Sequence, residues 1–150
     1  MNRQSVHICT VGFTKKTAKE FFERLRLFRI QRVIDVRLNN ISQLAGFSKK
    51  GDLEYFLEQI LGVTYIHMPM LAPTQDILDA YKKHQGDWPV YEQQFLELMR
   101  KREIEKRLEP SMIDGGCLLC SEDKPHHCHR RLVAEYLSQK WGEAVKIEHL

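Results

Sequence analysis

Apolar residues in this chain fall into short continuous runs that alternate with longer stretches where they recur every three or four positions. Val6 to Gly12 is a short apolar strand that ends in Gly-Phe-Thr. From Thr17 onward Ala18, Phe21, Phe22, Leu25 and Phe28 share one face of a helix. Gln31 to Val36 is a second strand, followed by a loop from Arg37 to Gly51 rich in Asn, Ser, Gly and Lys. Asp52 to Leu61 carries Leu53, Phe56, Leu57, Ile60 and Leu61 at helical spacing, and Gly62 ends it as a C-cap glycine. Val63 to His67 is a third strand, stopped before Pro69. Thr74 caps a helix that bears Ile77, Leu78 and Tyr81, and the pattern breaks from Lys82 to Pro89. The spacing then predicts one long helix from Val90 to Leu108, with Tyr91, Phe95 and Leu98 inward, closed by Pro110. Gly116 to Cys120 is the fourth strand. Leu132, Val133, Tyr136 and Leu137 mark a last helix, and Ala144 to Glu148 a final strand.

This alternation predicts an α/β fold: a three-layer, Rossmann-like domain over residues 1–150, with a mostly parallel sheet of about five strands covered on both faces. The order of the strands does not follow from the pattern. A length of 150 residues suits one core. With 43% hydrophobic and 29% charged residues, the composition is that of an ordinary soluble protein. The formal charge of +3 is too small to argue for nucleic-acid binding by itself. No apolar run reaches the roughly 18 residues of a membrane span, so no membrane partner is expected. Met1 to Ser5 does not read as a signal peptide, which points to the cytoplasm and to reduced thiols. Cys9 and Cys117 sit inside apolar runs and read as small core residues.

The chemistry concentrates between Leu118 and Arg131. These fourteen residues hold two cysteines, three histidines, two arginines and two acids at the junction of a strand and a helix. In a parallel sheet every strand's carboxyl end lies on one edge, where open α/β folds place their ligands. Reading those ends gives Gly12, Phe13 and Thr14, then Asp35, Arg37 and Asn39, then His67, then Cys120, Ser121 and Glu122. Asp35 with Arg37 reads equally as a structural ion pair, and His67 as an ordinary hydrogen-bonded histidine.

Three chemistries fit the cluster. The first is an anion pocket. There Cys128, His129 and Arg130 occupy the first helical turn near Pro125, free N–H groups face the ligand, and Arg37, Lys49, Arg130 or Arg131 supply the fork. The second is a reactive thiolate at Cys128, its pKa lowered by the helix N-terminus and its basic neighbours. A tyrosine-phosphatase loop is disfavoured, because the arginine needed six positions after the cysteine is Ala134. The third is a metal site made from Cys120, Cys128, His129 and either His126 or His127. The nominal C-x-x-C of Cys117 and Cys120 is weak, because strand residues three apart face opposite ways.

Thr10-Val11-Gly12-Phe13-Thr14, Val33-Ile34-Asp35-Val36-Arg37, Tyr65-Ile66-His67-Met68-Pro69 and Leu118-Leu119-Cys120-Ser121-Glu122 with Cys128-His129-Arg130 occur here in that order. By these motifs the chain resembles the domain-of-unknown-function 488 family. The resemblance implies an α/β fold with Asp35, Arg37, Cys120, Glu122, Cys128, His129 and Arg130 as site residues. It brings no established activity. Two departures stand out: Gln43 where the family more often has an arginine, and Leu71-Ala72-Pro73 in place of Leu-Gly-Gly.

The expectation is a polar crevice that binds a small anionic or phosphorylated ligand, with a nucleotide or a nucleic-acid end as candidates. Gly12, Arg37, His67, Cys120 and Arg130 would bind it. Cys128 or His129 would act as nucleophile or base, with Asp35 or Glu122 orienting a base or binding a metal. The alternatives are a cysteine–histidine redox or metal sensor, and a nucleic-acid binder that gathers Lys15, Lys16, Lys49, Lys50, Lys82 and Lys83 on one face. Cofactor, reaction and oligomeric state stay open.

Overall fold

The strands are β1 (Val6–Gly12), β2 (Arg32–Asp35), β3 (Thr64–His67), β4 (Gly116–Cys120) and β5 (Val145–His149). They form one five-stranded sheet in the order β3-β2-β4-β1-β5. The computed structural model describes residues 5–39, 46–83, 86–121, 127–142 and 144–150. Every pairing is parallel, so the expected mostly parallel sheet is wholly so. β4 lies between β1 and β2, with Ile8 and Arg32 both in register with Gly116.

Alternate residues of the buried strands feed two cores, as the period of two requires. Ile8, Ile34, Leu118 and Cys120 join one core, while Cys9, Val11, Val33, Cys117 and Leu119 join the other. Cys117 and Cys120 therefore do face opposite sides, and Cys9 and Cys117 are packing residues.

Helix α1 (Ala18–Leu27) buries Phe21, Phe22 and Leu25 against the second core, and α2 (Lys50–Phe56) buries Leu53 there. Thr17 caps α1 in a reciprocal box with Glu20. The opposite face carries α3 (Gln75–Lys83), α4 (Trp88–Arg102), α5 (Ile104–Arg107), α6 (Pro110–Ile113) and α7 (His129–Trp141). Thr74 Oγ1 accepts from the Ile77 N–H at 3.3 Å, as a cap should.

α2 continues as a π-helical turn over Leu57–Leu61, and Gly62 closes it with φ of 66°. A Cβ at Gly62 would meet nothing within 4 Å, so replacement costs only backbone conformation. Gly62→Ala is expected to lower stability by about 1 kcal/mol, read from the urea midpoint.

The single long helix expected from Val90 to Leu108 is corrected. Glu103 takes φ of 50° and splits it into α4 and α5, and Pro110 opens α6 rather than closing a helix. Its start is also earlier, because Trp88 and Pro89 occupy the first turn of α4, where proline's missing N–H leaves no bond unmade. Among the described residues no helix is long and apolar enough to cross a membrane.

Candidate functional site

The chain leaves β1 toward α1 on one face and leaves β4 toward α7 on the other. Neighbouring parallel strands whose connections part in this way open a crevice at their carboxyl ends. The Thr14 N–H donates to the Ser121 carbonyl at 3.0 Å, and the Thr14 hydroxyl donates to the same oxygen, tying the two loops together. Beside this tie is a cavity of about 430 Å3. Arg37, Cys120, Cys128 and His129 line it, along with Phe13, Tyr81, Trp88, Tyr91 and His127.

Asp35 ends β2, fully buried, and Arg37 is only 5% exposed. Arg37 donates from Nε to Asp35 Oδ1 at 2.9 Å and from Nη2 to Oδ2 at 2.8 Å. Its backbone N–H also reaches Oδ1, at 3.1 Å, and the Tyr65 hydroxyl donates to Oδ2 at 2.5 Å. Nη2 further donates to the Ser48 carbonyl at 2.7 Å. Burial works against the guanidinium charge, but the hydrogen bonds and charge of Asp35, with Tyr65 behind it, outweigh it and raise the Arg37 pKa. The guanidinium carbon lies 5.1 Å from the centre of the Phe13 ring. Nη1 is buried and has no hydrogen-bond partner among the described residues. Asp35 is thus committed to Arg37 and Tyr65.

On the other side of the cavity, Cys120 is the last residue of β4, Cys128 is the N-cap of α7 and His129 is its first residue. All three are buried. His129 Nε2 is 2.6 Å from the Val36 carbonyl, which only accepts, so Nε2 carries the proton. Nδ1 therefore faces the Cys120 sulfur, at 3.6 Å. The hydrogen bond from Cys128 is the main cause that sets the Cys120 pKa well below the usual thiol range; burial opposes it, and His129 and Arg130 add to it. Burial, followed by the hydrogen bond and charge of Cys120, pushes Cys128 well up. Burial disfavours the His129 charge, but Cys120 and the Val36 carbonyl raise its pKa. The lowering expected for Cys128 thus falls on Cys120, the sulfur that faces the imidazole. A thiolate beside an imidazole can serve as a nucleophile with its base or as a pair of soft donors.

The remaining sequence candidates fall elsewhere. Arg130 is fully buried and donates from Nε to Thr10 Oγ1 at 3.3 Å; it is not part of the cavity wall. His67 Nε2 lies 2.8 Å from the Arg37 carbonyl, a contact that braces the Arg37 backbone, and it too is off the wall. Gly12 pairs with Cys120 in the sheet, and Phe13 is the wall residue from that strand end. Lys49 is the N-cap of α2, away from the wall. Glu122, His126, Pro125 and Gln43 lie outside the described residues.

The other half of the site is aromatic. Trp88 stacks on Tyr91 at 4.9 Å and on His127 at 5.1 Å, and Tyr81 packs 5.0 Å from Tyr91. His127, a possible fourth metal donor in the sequence, stacks on the indole and is not grouped with Cys120, Cys128 and His129. Burial is the main reason the Tyr91 phenol is held protonated, with Cys120 and Cys128 adding to it. Tyr81 and Tyr91 did lie on inward helix faces in the sequence, but nothing there set them opposite Arg37.

A three-layer α/β domain that opens a crevice where its strand connections part, with a buried cation on one wall and a cysteine–histidine cluster on the other, is the class of protein defined here. Residues 17–137 match the family model described as Domain of unknown function DUF488, and the chain belongs to that family. Comparisons with curated proteins and with solved structures give no match.

Proposed function

We propose that the cavity binds a small anion that carries a flat ring, a ligand of the nucleotide class. The observation that carries this reading is Arg37, a residue of the cavity wall whose buried Nη1 has no hydrogen-bond partner among the described residues. Leaving such a group unpaired costs about 1–3 kcal/mol, and more when it is charged. An anionic oxygen of a phosphate or carboxylate would satisfy it. Asp35 and Ser48 already hold the other edge of the fork, so the guanidinium is oriented before the ligand arrives.

The ring is supported by the aromatic lining. Trp88, Tyr81, Tyr91 and Phe13 are among the residues that line the cavity of about 430 Å3. That volume lies within the range of roughly 300–1,000 Å3 usual for small-molecule sites. Arg131, with its guanidinium carbon 6.0 Å from the Trp88 ring, helps to hold the indole in place.

The test follows Trp88 fluorescence in a Trp141→Phe background. Nucleoside mono- and diphosphates should change the emission, and their parent nucleosides should bind at least about tenfold more weakly, the worth of one charged hydrogen bond. Arg37→Lys keeps the charge but loses the fork. It should weaken the nucleotides by a similar factor while leaving the nucleosides unchanged. Nucleosides that bind as tightly as nucleotides would remove the anion from the reading. A folded protein that ignores both would overturn it.

A further inference from the structure

Cys120 Sγ, Cys128 Sγ and His129 Nδ1 all lie within 4.8 Å of one another. The measured edge from Cys120 Sγ to His129 Nδ1 is 3.6 Å. Zinc in a tetrahedral site takes Zn–S bonds of about 2.3 Å and Zn–N bonds of about 2.0–2.1 Å, which places neighbouring donors roughly 3.5–3.8 Å apart. The Cys120–His129 edge therefore already has the spacing that one ion requires, and the edges to Cys128 are no longer than 4.8 Å.

The imidazole is set for the same purpose. Its Nε2–H is held by the Val36 carbonyl at 2.6 Å, so the lone pair of Nδ1 points toward the sulfurs. Metal-bound histidines are oriented in this way, with the far N–H on a carbonyl or carboxylate. The donors stand on firm ground: Cys120 on the central strand, Cys128 and His129 at the start of α7. Phe95 packs against the imidazole at 5.5 Å and restricts its tilt.

We propose that Cys120, Cys128 and His129 bind a zinc(II) ion whose fourth coordination position opens into the cavity. Two sulfurs and one imidazole nitrogen form a soft-to-borderline set that selects zinc over magnesium or calcium. Two thiolates and one neutral imidazole cancel the charge of the ion, which suits a buried place. Binding releases the protons that the cluster holds, as S–H bonds give way to Zn–S bonds. All three ligands line the cavity, so the open position takes a water molecule or an anionic oxygen from whatever enters. The proposal stands on the donor geometry and does not depend on what fills the rest of the cavity.

The experiment is a cobalt(II) titration of the full chain, purified anaerobically without a histidine tag and stripped with a chelator. Zinc content before stripping is measured alongside. The expected result is about one zinc per chain, and on cobalt addition a thiolate-to-cobalt charge-transfer band with the intense visible bands of a tetrahedral ion. Cys128→Ser and His129→Ala should weaken zinc at least about 100-fold against a chromophoric chelator. Cys117→Ser, a buried cysteine on the other face of the sheet, should leave the spectrum alone. Circular dichroism shows that each variant is folded, and the wild-type spectrum tests the site even if one variant is not. Folded wild-type protein that gives no charge-transfer band would overturn the proposal, as would a band that survives in folded Cys128→Ser. Arg37→Lys should keep the cobalt spectrum, so loss of anion binding and loss of the metal are read separately.

Discussion

Replacing Asp35 by asparagine is expected to lower the free energy of unfolding by about 3–5 kcal/mol, the cost of leaving one partner of a buried ion pair behind. Asp35 is fully buried, and its two oxygens accept from Arg37 Nε, Arg37 Nη2, the Arg37 backbone and the Tyr65 hydroxyl. An asparagine keeps the shape but turns one acceptor into a donor. That donor would face either the guanidinium or the phenol, both of which also donate. The Arg37 charge would then be stranded at 5% exposure. Equilibrium urea unfolding measures the loss. Adding Arg37→Met to Asp35→Asn should restore part of it, because the stranded charge is gone, while Tyr65→Phe alone should cost only about 1.5–3 kcal/mol. A loss below about 1 kcal/mol for Asp35→Asn would mean that water reaches the pair, as it does for exposed ion pairs. The oriented fork on which anion binding depends would then not exist.

Phe95→Ala should be comparably severe, at about 3–5 kcal/mol. Phe95 is fully buried on α4, stacked nearly parallel to Tyr91 with 6.1 Å between centres, and tilted against His129. Truncation loses the buried ring and opens a void between α4 and α7. The effect should extend to the site, because the imidazole and the phenol of Tyr91 both lean on this ring. Phe95→Leu fills more of the space and should recover much of the stability. Urea midpoints give the energies. If Phe95→Ala cost less than about 2 kcal/mol, the two helices must close over the gap.

The strand ends that border the cavity were legible because the apolar runs are short and well bounded. Gly62 after Leu61, and Pro69 after His67, stop their elements for local reasons that can be seen without a structure. The aromatic wall was hidden by Trp88-Pro89, which looked like a break and is the opening turn of α4. Which cysteine faces the imidazole was also out of reach. It depends on the ring being held by the Val36 carbonyl, 93 positions from His129. Arg130 shows the limit most directly. Each residue along a helix turns the side chain by about 100°, so neighbours in the Cys-His-Arg motif divide their roles: His129 lines the cavity while Arg130 is fully buried and bonded to Thr10.

The central place of β4 bears on how the chain comes to be folded. β1 and β2 are not neighbours; each pairs with β4, and Ile8 meets Gly116 across 108 positions of chain. During synthesis nothing joins the two outer halves of the sheet until Gly116–Cys120 has left the ribosome. Until then β1 and β2 each offer an open edge of unpaired N–H and C=O groups, an invitation to wrong partners. Such long-range closure is slow compared with helix formation. The strand that completes the sheet is the same strand that delivers Cys120, so no shortened or half-folded chain can assemble the cysteine–histidine cluster.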